Sequence, residues 1–162
     1  MARIDYDMLA NVMAEDRDLL RTYYYHCLPH QSATPEQEEK DKFSRAQRFH
    51  RRLNHLDSFA VRLGRLAYRG IDDEGRPVFE QKRVDVMLAT DLVMHSTKRL
   101  ITHASLLTGD SDFLPAIKIA QSEGVHLSLF YCKDIPPHDE LLDIVDARRK
   151  IDEEMIESIK RS

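Results

Sequence analysis

Hydrophobic residues recur along this chain with two periods, one typical of helices and one typical of strands. Ile4, Met8 and Val12 fall on one face of a helix, whereas residues 19–27 form a Leu- and Tyr-rich run that favours a strand. The same alternation continues as far as residue 132. It predicts helices over residues 4–15, 35–54, 85–97 and 113–123, strands over 19–27, 59–68, 101–108 and 125–132, and a short hairpin arm over 78–81.

This order of elements predicts an α/β fold in three layers, with a mostly parallel sheet covered by helices on both faces. We expect one domain over residues 1–162, with its core over about 4–133 and a charged helical tail over 134–162. Thr34 and Gln37 are spaced as a capping box, so we expect Thr34 to cap the second helix.

Charge and composition exclude several classes of protein. The 162 residues include 24 basic and 28 acidic ones, a formal net charge of −4, so binding of nucleic acid would require a local basic patch. No apolar run is long enough to cross a bilayer. The two cysteines end apolar runs and no signal peptide is recognisable, so we expect buried thiols and a cytoplasmic location.

Two carboxylates, Asp110 and Asp112, follow the Gly109 that ends the strand predicted over 101–108. The turn at the carboxyl end of a strand is where open α/β sheets place their sites. One interpretation is that Ser111 and Asp112 only cap the next helix. The other is a site for a hard cation, because paired carboxylates suit Mg²⁺ or Mn²⁺. The turn alone leaves both interpretations open.

Two further carboxylates, Asp85 and Asp91, belong to the helix predicted over 85–97. Asp85 lies at the start of this helix, where an Asp most often serves as an N-cap. Asp91 is six residues later, about 120° around the helix, so a regular helix does not point both at one site. We therefore rank Asp85 above Asp91.

A local basic patch is predicted on the helix over 35–54. Arg45, Arg48 and Arg52 share one face at helical spacing, which is either a solvated face or a contact surface for a phosphate backbone. The run Tyr23-Tyr24-Tyr25 offers rings on which bases can stack, although a strand is expected to place at least one of them in the core.

Two motifs carry a family resemblance: Lys82-Arg83-Val84-Asp85-Val86-Met87-Leu88-Ala89-Thr90-Asp91 and, further on, Leu107-Thr108-Gly109-Asp110-Ser111-Asp112-Phe113. In these motifs, their order and their spacing, the chain resembles the NYN-domain family, the LabA-like branch of the PIN-like ribonuclease superfamily. The likeness extends over residues 5–132 and is specific, because both motifs are long.

The resemblance implies a parallel sheet with aspartates clustered at its carboxyl edge, and Mg²⁺ or Mn²⁺ ions that activate water to hydrolyse RNA. It implies these catalytic and metal-binding residues: Asp85, Asp110 and Asp112, with Asp91, Ser111 and Thr108 as secondary candidates. Single-stranded RNA is the favoured partner, and the residues predicted to contact its phosphates are Lys82, Arg45, Arg48 and Arg52.

The chain departs from the family pattern at its start, where NYN domains have a central strand that ends in an Asp. Residues 1–4 hold no such strand. Three explanations stay open: a truncated or misannotated start, a natural pseudo-enzyme, or a second chain that completes the site. The uncovered strand edges predict either pairing of residues 19–27 with 101–108 or a homodimer.

The leading hypothesis is a metal-dependent ribonuclease. Two alternatives are a catalytically inactive NYN module that binds RNA or a protein partner, and a magnesium-dependent phosphatase that uses the same aspartates. Zinc is not expected, because the eight histidines lack the spacing of zinc ligands.

Overall fold

The computed structural model describes residues 4–161, which divide into two compact units. The middle unit is Arg21–Leu88, and the outer unit contains the other described residues. The helices are α1 (Tyr6–Ala14), α2 (Gln37–Leu53), α3 (Val84–Thr97), α4 (Leu114–Ser122), α5 (Asp139–Ile144) and α6 (Glu153–Ser158). The strands are β1 (Thr22–His26), β2 (Phe59–Leu63), β3 (Arg65–Ile71), β4 (Pro77–Lys82), β5 (His103–Leu107), β6 (His126–Cys132) and β7 (Ala147–Ile151).

The outer unit is built on a parallel sheet with the strand order β5-β6-β7. Its register aligns Leu107 with Phe130 and Cys132 with Ile151. The central strand β6 is buried along most of its length, and Leu127 is fully buried. A central parallel strand covered on both faces is expected to be nearly continuously apolar, which is the pattern of this segment. The carboxyl ends of all three strands therefore lie along one edge.

Side chains from distant parts of the sequence hold this sheet in register. The carboxylate of Asp146 accepts hydrogen bonds from the backbone N–H of Leu127 at 2.8 Å and from Nε2 of Gln121 at 3.2 Å. The N–H of Leu127 is the main cause of the lowered pKa of Asp146. Asp146 thus fixes the start of β6 against the segment that enters β7.

Helix α1 is anchored at both ends within the outer unit. The side chain of Asp5 caps it by accepting hydrogen bonds from backbone N–H groups two and three residues later, at 3.0 and 3.1 Å. Beyond its last turn, Glu15 forms an ion pair with Arg149 of β7 at 2.6 Å. Hydrogen bonds from Arg149 and then Arg17 hold the pKa of Glu15 below its usual range.

The middle unit contains a parallel pair and a hairpin. β1 and β2 pair in parallel, with Thr22 opposite Phe59, and α2 connects them. β3 and β4 form an antiparallel hairpin. Its turn is held by the carboxylate of Asp72, which accepts a hydrogen bond from the backbone N–H of Arg76 at 2.8 Å. The predicted helix over 35–54 and the predicted hairpin arm are both confirmed.

The predicted α/β fold with mostly parallel strand pairing is confirmed, because only the β3–β4 ladder is antiparallel among the described strands. The suggested pairing of residues 19–27 with 101–108 is wrong, since β1 pairs with β2 and β5 pairs with β6, each within its own unit. Within residues 4–161, α1 is the first helix or strand, and it follows a single β-bridge between Ile4 and Lys160.

The single strand predicted over residues 59–68 is wrong, because the chain breaks at Gly64 into β2 and β3. A Cβ atom on Gly64 would lie 2.4 Å from the carbonyl oxygen of Lys82 and 2.8 Å from Cγ2 of Val84. Glycine is therefore needed for this close approach of two backbone segments.

The predicted capping box at the start of α2 is also wrong. Glu36 occupies the N-cap position without a side-chain hydrogen bond, and Thr34 lies two residues before it. The proline that follows Thr34 disfavours helical geometry at that residue. The first turns of α2 are instead tied to the preceding loop by Ser32, whose Oγ donates to Glu39 at 2.7 Å.

The predicted helical tail over 134–162 is only partly correct, because it contains the sheet strand β7 between α5 and α6. The expectation for the cysteines is half correct: Cys27 is buried, and burial raises its thiol pKa, whereas Cys132 is exposed. Over the described part of the chain, no helix combines the length and the apolar character that a membrane span needs.

Candidate active site

The loop that follows β5 is ordered by its own polar groups. The backbone N–H of Asp110 donates to Oγ1 of Thr108 at 3.2 Å, and the backbone N–H of Asp112 donates to Oδ1 of Asp110 at 2.9 Å. Asp110 is thereby the N-cap of a short 3₁₀ turn, Ser111–Phe113, which leads into α4. Phe113 is buried and anchors the turn in the core. The capping residue is Asp110, rather than the predicted Ser111 or Asp112.

The oxygen atoms of this loop are of the type that Mg²⁺ and Mn²⁺ prefer as ligands. Asp110 and Asp112 are exposed, and Thr108 and Ser111 are half-buried beside them in sequence. Among residues 4–161, no group of three or more His, Cys, Asp or Glu side chains is close enough to hold a metal ion. Mg²⁺ is commonly held by one or two carboxylates together with water and substrate phosphates. The loop fits such an ion if a phosphate completes its coordination.

The remaining predicted carboxylates lie on α3. Asp85 is exposed in the first turn of this helix, one residue after Val84, so it lies inside the helix rather than at the N-cap. A carboxylate there is favoured by the helix dipole. Asp91 is half-buried, and its backbone carbonyl oxygen lies 2.6 Å from Nδ1 of His95. Asp85 belongs to the middle unit and Asp91 to the outer unit.

The structure brings the predicted arginines together on one face of α2. Arg45, Arg48 and Arg52 line a concave surface of about 590 Å³, and the sequence prediction missed three other lining residues: Arg51, Phe49 and His55. We call these residues the arginine surface. Their side chains leave several guanidinium groups exposed on one helix, which is the arrangement that favours contacts with phosphate.

Lys82 is a weaker candidate for binding phosphate than the arginines. Its Nζ donates to Glu80 at 2.6 Å, and Glu80 also pairs with Arg69. The hydrogen bonds from Arg69 and then Lys82 lower the pKa of Glu80 to about 2. Glu80 therefore stays anionic throughout the physiological range and partly compensates the charge of Lys82.

The chain is similar to known proteins both in sequence and in fold. The model of the NYN domain family matches residues 1–149. An uncharacterized protein of Sinorhizobium fredii is 34% identical over 74 residues, which are 46% of this chain and 30% of that protein. The chain thus covers less than a third of that relative's length. A crystal structure of a protein of unknown function from Vibrio parahaemolyticus matches with a TM-score of 0.64 and 16% identity, over 99% of this chain and 83% of that one. This second likeness establishes the fold alone.

Proposed function

This chain belongs to the NYN domain family of the PIN-like superfamily, whose fold is nuclease-like, and from that premise we propose that it is a metal-dependent ribonuclease. The observation that carries the proposal is the pair of exposed aspartates on the ordered loop after β5. Asp110 and Asp112 are the proposed ligands of Mg²⁺ or Mn²⁺, and Thr108 and Ser111 add hydroxyl groups on the same loop.

The carboxylates of the loop have two proposed tasks, to hold the shape of the loop and to bind a cation. Oδ1 of Asp110 holds the loop in shape by accepting from the N–H of Asp112, so its geometry exists before any ligand arrives. The carboxylates concentrate negative charge at the loop, which attracts a cation and by itself repels RNA. A divalent ion bound there would lower the pKa of a water molecule and offset the charge of the phosphate undergoing hydrolysis.

The proposed RNA contacts lie on the arginine surface. Arg45, Arg48 and Arg52 are exposed, and none of the described residues that line their concave surface is acidic. The chain as a whole carries a net charge of −4, and the arginine surface is a local exception to it. This local concentration of positive charge supports recognition of a polyanion. Single-stranded RNA, the partner predicted from the sequence, is the proposed substrate.

The decisive experiment measures cleavage of a fluorescent single-stranded RNA in Mn²⁺ by the wild type and by Asp110→Asn. Asparagine keeps a side-chain oxygen that can accept from the N–H of Asp112, so the loop keeps its shape while it loses a carboxylate. We expect cleavage to fall by about a hundredfold or more, because replacing even a residue that only orients a metal ligand costs about 10–100-fold. Asp143→Asn is the matched control, because it removes an exposed carboxylate from α5, outside the loop.

Equal cleavage by the wild type and Asp110→Asn would refute the proposal. Asp85→Asn tests the third predicted carboxylate separately, and a loss of cleavage in that variant supports a role for it. If the wild type itself does not cleave RNA at saturating Mn²⁺, the proposed activity is wrong.

A catalytically inactive RNA-binding module is the second candidate. The observation that favours it is that the described residues contain no group of three or more side chains able to hold a metal ion. The arginine surface does not depend on such a group. RNA binding without cleavage in Mn²⁺, lost when Arg48 and Arg52 are both replaced by Gln, would identify this second function.

A further inference from the structure

A cleft of about 330 Å³ opens in the middle unit. It lies within the size range of pockets that take small molecules and cofactors. Residues of β1, α2 and the β3–β4 hairpin line it: Tyr24, His26, Cys27, Leu28, Pro29, Lys42, Ala46, Phe49, His50, Leu66 and Gln81. The lining is mainly apolar and aromatic, with a few polar groups.

Four of the lining residues carry rings that pack against one another. The centroid of Tyr24 is 5.7 Å from that of Phe49 and 6.0 Å from that of His50. His26 lies 5.9 Å from both Tyr24 and His50. Such edge and tilted packing fixes the rings in place, so they form a preorganised wall for a flat ligand.

His50 adds to the lining of the cleft a buried polar side chain, one nitrogen of which has no hydrogen-bond partner in the described part of the chain. Its side chain lines the cleft, the residue is 5% exposed, and its Nδ1 has no hydrogen-bond partner among the described residues. Burial, and then the charge of His26, lower the pKa of His50, so the ring is neutral at neutral pH. A buried imidazole nitrogen without a partner is uncommon in folded proteins.

The cleft adjoins the arginine surface, because Phe49 lines both. Lys42 and Gln81 lie at the cleft, and both are exposed. A ligand that extends from the cleft to the arginine surface would therefore meet aromatic rings at one end and several positive charges at the other. That order matches a nucleotide within a strand, which has a flat base joined to phosphates.

We propose that this cleft is a nucleobase subsite, in which one base of a single-stranded RNA lies against the rings of Tyr24 and Phe49 while the flanking phosphates lie on the arginine surface. The proposal rests on the proposed function only in taking RNA as the ligand. A duplex does not fit, because its bases are stacked inside the helix, whereas a single strand can present an unstacked base.

The test compares the affinity of the full chain for oligouridylate with its affinity for an abasic oligonucleotide of equal length. Base stacking on an aromatic side chain increases affinity by roughly fivefold to a hundredfold, so we expect the wild type to prefer oligouridylate by a factor in this range. Ala46→Leu adds volume to the lining of the cleft, and leucine ranks directly after alanine in helix propensity, so α2 should be preserved. It should weaken binding of oligouridylate to the level of the abasic strand and leave binding of the abasic strand unchanged.

Gln47→Leu is the matched control, because it places the same side chain on the next, exposed position of α2. It should keep the preference of the wild type. Gln81→Ala removes a polar side chain from an exposed position of the cleft and should also reduce the preference; it takes the place of Ala46→Leu as the test if that variant does not fold. Thermal unfolding of each variant shows whether it folds.

An unchanged preference in a folded Ala46→Leu variant would overturn the proposal, as would equal affinity of the wild type for the two strands or no binding of either. Asp110→Asn separates this result from the proposed catalysis. That variant should lose cleavage and keep its preference for bases. A preference for bases in a wild-type chain that cleaves nothing would leave the subsite standing and remove the nuclease function.

Discussion

Gly64 provides the sharpest test of the fold, because its replacement places one new atom among three identified neighbours. A Cβ atom there would lie 2.4 Å from the carbonyl oxygen of Lys82, 2.8 Å from Cγ2 of Val84 and 3.0 Å from Sγ of Cys27. The N–H of Gly64 also donates to the carbonyl oxygen of His26 at 2.9 Å. Backbone and side-chain atoms therefore surround Gly64 closely, and a backbone hydrogen bond holds the residue in place.

The expected cost of Gly64→Ala follows from these contacts. The nearest neighbour is a backbone oxygen, so no change of rotamer relieves the overlap, and the two segments must move apart. Overpacking of this kind costs about 1–3 kcal/mol, and we expect the upper end of that range. For a chain of this size, each kcal/mol lowers the melting temperature by roughly 2–4 °C, which gives a decrease of roughly 6–12 °C.

Thermal unfolding followed by circular dichroism measures this decrease, and Gly109→Ala is the matched control. A Cβ atom on Gly109 would meet nothing within 4 Å, and the residue does not have a positive φ. Replacement of such a glycine stabilises a protein by about 0.4–1 kcal/mol through the unfolded chain, so the control should melt at or slightly above the wild-type temperature. If Gly64→Ala melts within about 2 °C of the control, the lower end of the shift that 1 kcal/mol produces, the close approach at Gly64 is wrong.

Two further predictions concern acid stability and charge. The pKa of His50 is lowered in the fold, so the unfolded chain binds the proton more readily; stability is present above the unfolded pKa of about 6.5 and is lost as the pH falls below it. Urea unfolding at several pH values should show a flatter dependence below about pH 6.5 for His50→Phe, and an identical dependence would contradict the burial of this ring. Each arginine that contacts a phosphate of a single strand contributes about −0.7 to the slope of log affinity against log salt concentration, so replacing Arg48 and Arg52 by Gln should make the slope shallower by about 1.4. Lys40→Gln, at an exposed position earlier on α2, should leave the slope unchanged, and equal slopes for all three proteins would exclude these arginines from the interface.

Much of the fold could be predicted from local patterns, and the errors have a common physical origin. The strand over 59–68 appears continuous in the sequence because its alternation continues through Gly64, and the contact that breaks it involves Lys82. β7 was missed because Arg149 reads as a solvated charge, although in the fold it is paired with Glu15. In both cases the deciding partner is far away in the sequence, and no local periodicity reports it.

In the candidate site, too, features that depend on local contacts could be predicted and features that depend on distant contacts could not. The loop with Asp110 and Asp112 was found from the sequence because all of its partners are local. The four-ring cluster was not, because it joins β1 to α2, and only the tyrosine run gave a signal for it. The predicted face follows the spacing i, i+3, i+7 from Arg45 and so omits Arg51, although Arg51 lies three residues after Arg48.

The two interpretations of the loop after β5, a helix cap and a cation site, need not compete. The cap uses one oxygen of Asp110, and a carboxylate has a second oxygen as well as further lone pairs on the first. A cap that fixes the orientation of a carboxylate reduces the entropy that the side chain loses when an ion binds, so the cap favours coordination.

Asparagine keeps the capping oxygen and lacks the charge, whereas alanine lacks both. Asp110→Asn should therefore lose cleavage with little change in stability, while Asp110→Ala should lose cleavage and also about 1 kcal/mol of stability. If both variants melt at the wild-type temperature, the capping hydrogen bond does not contribute, and the loop is ordered by Phe113 and by the hydrogen bond to Thr108.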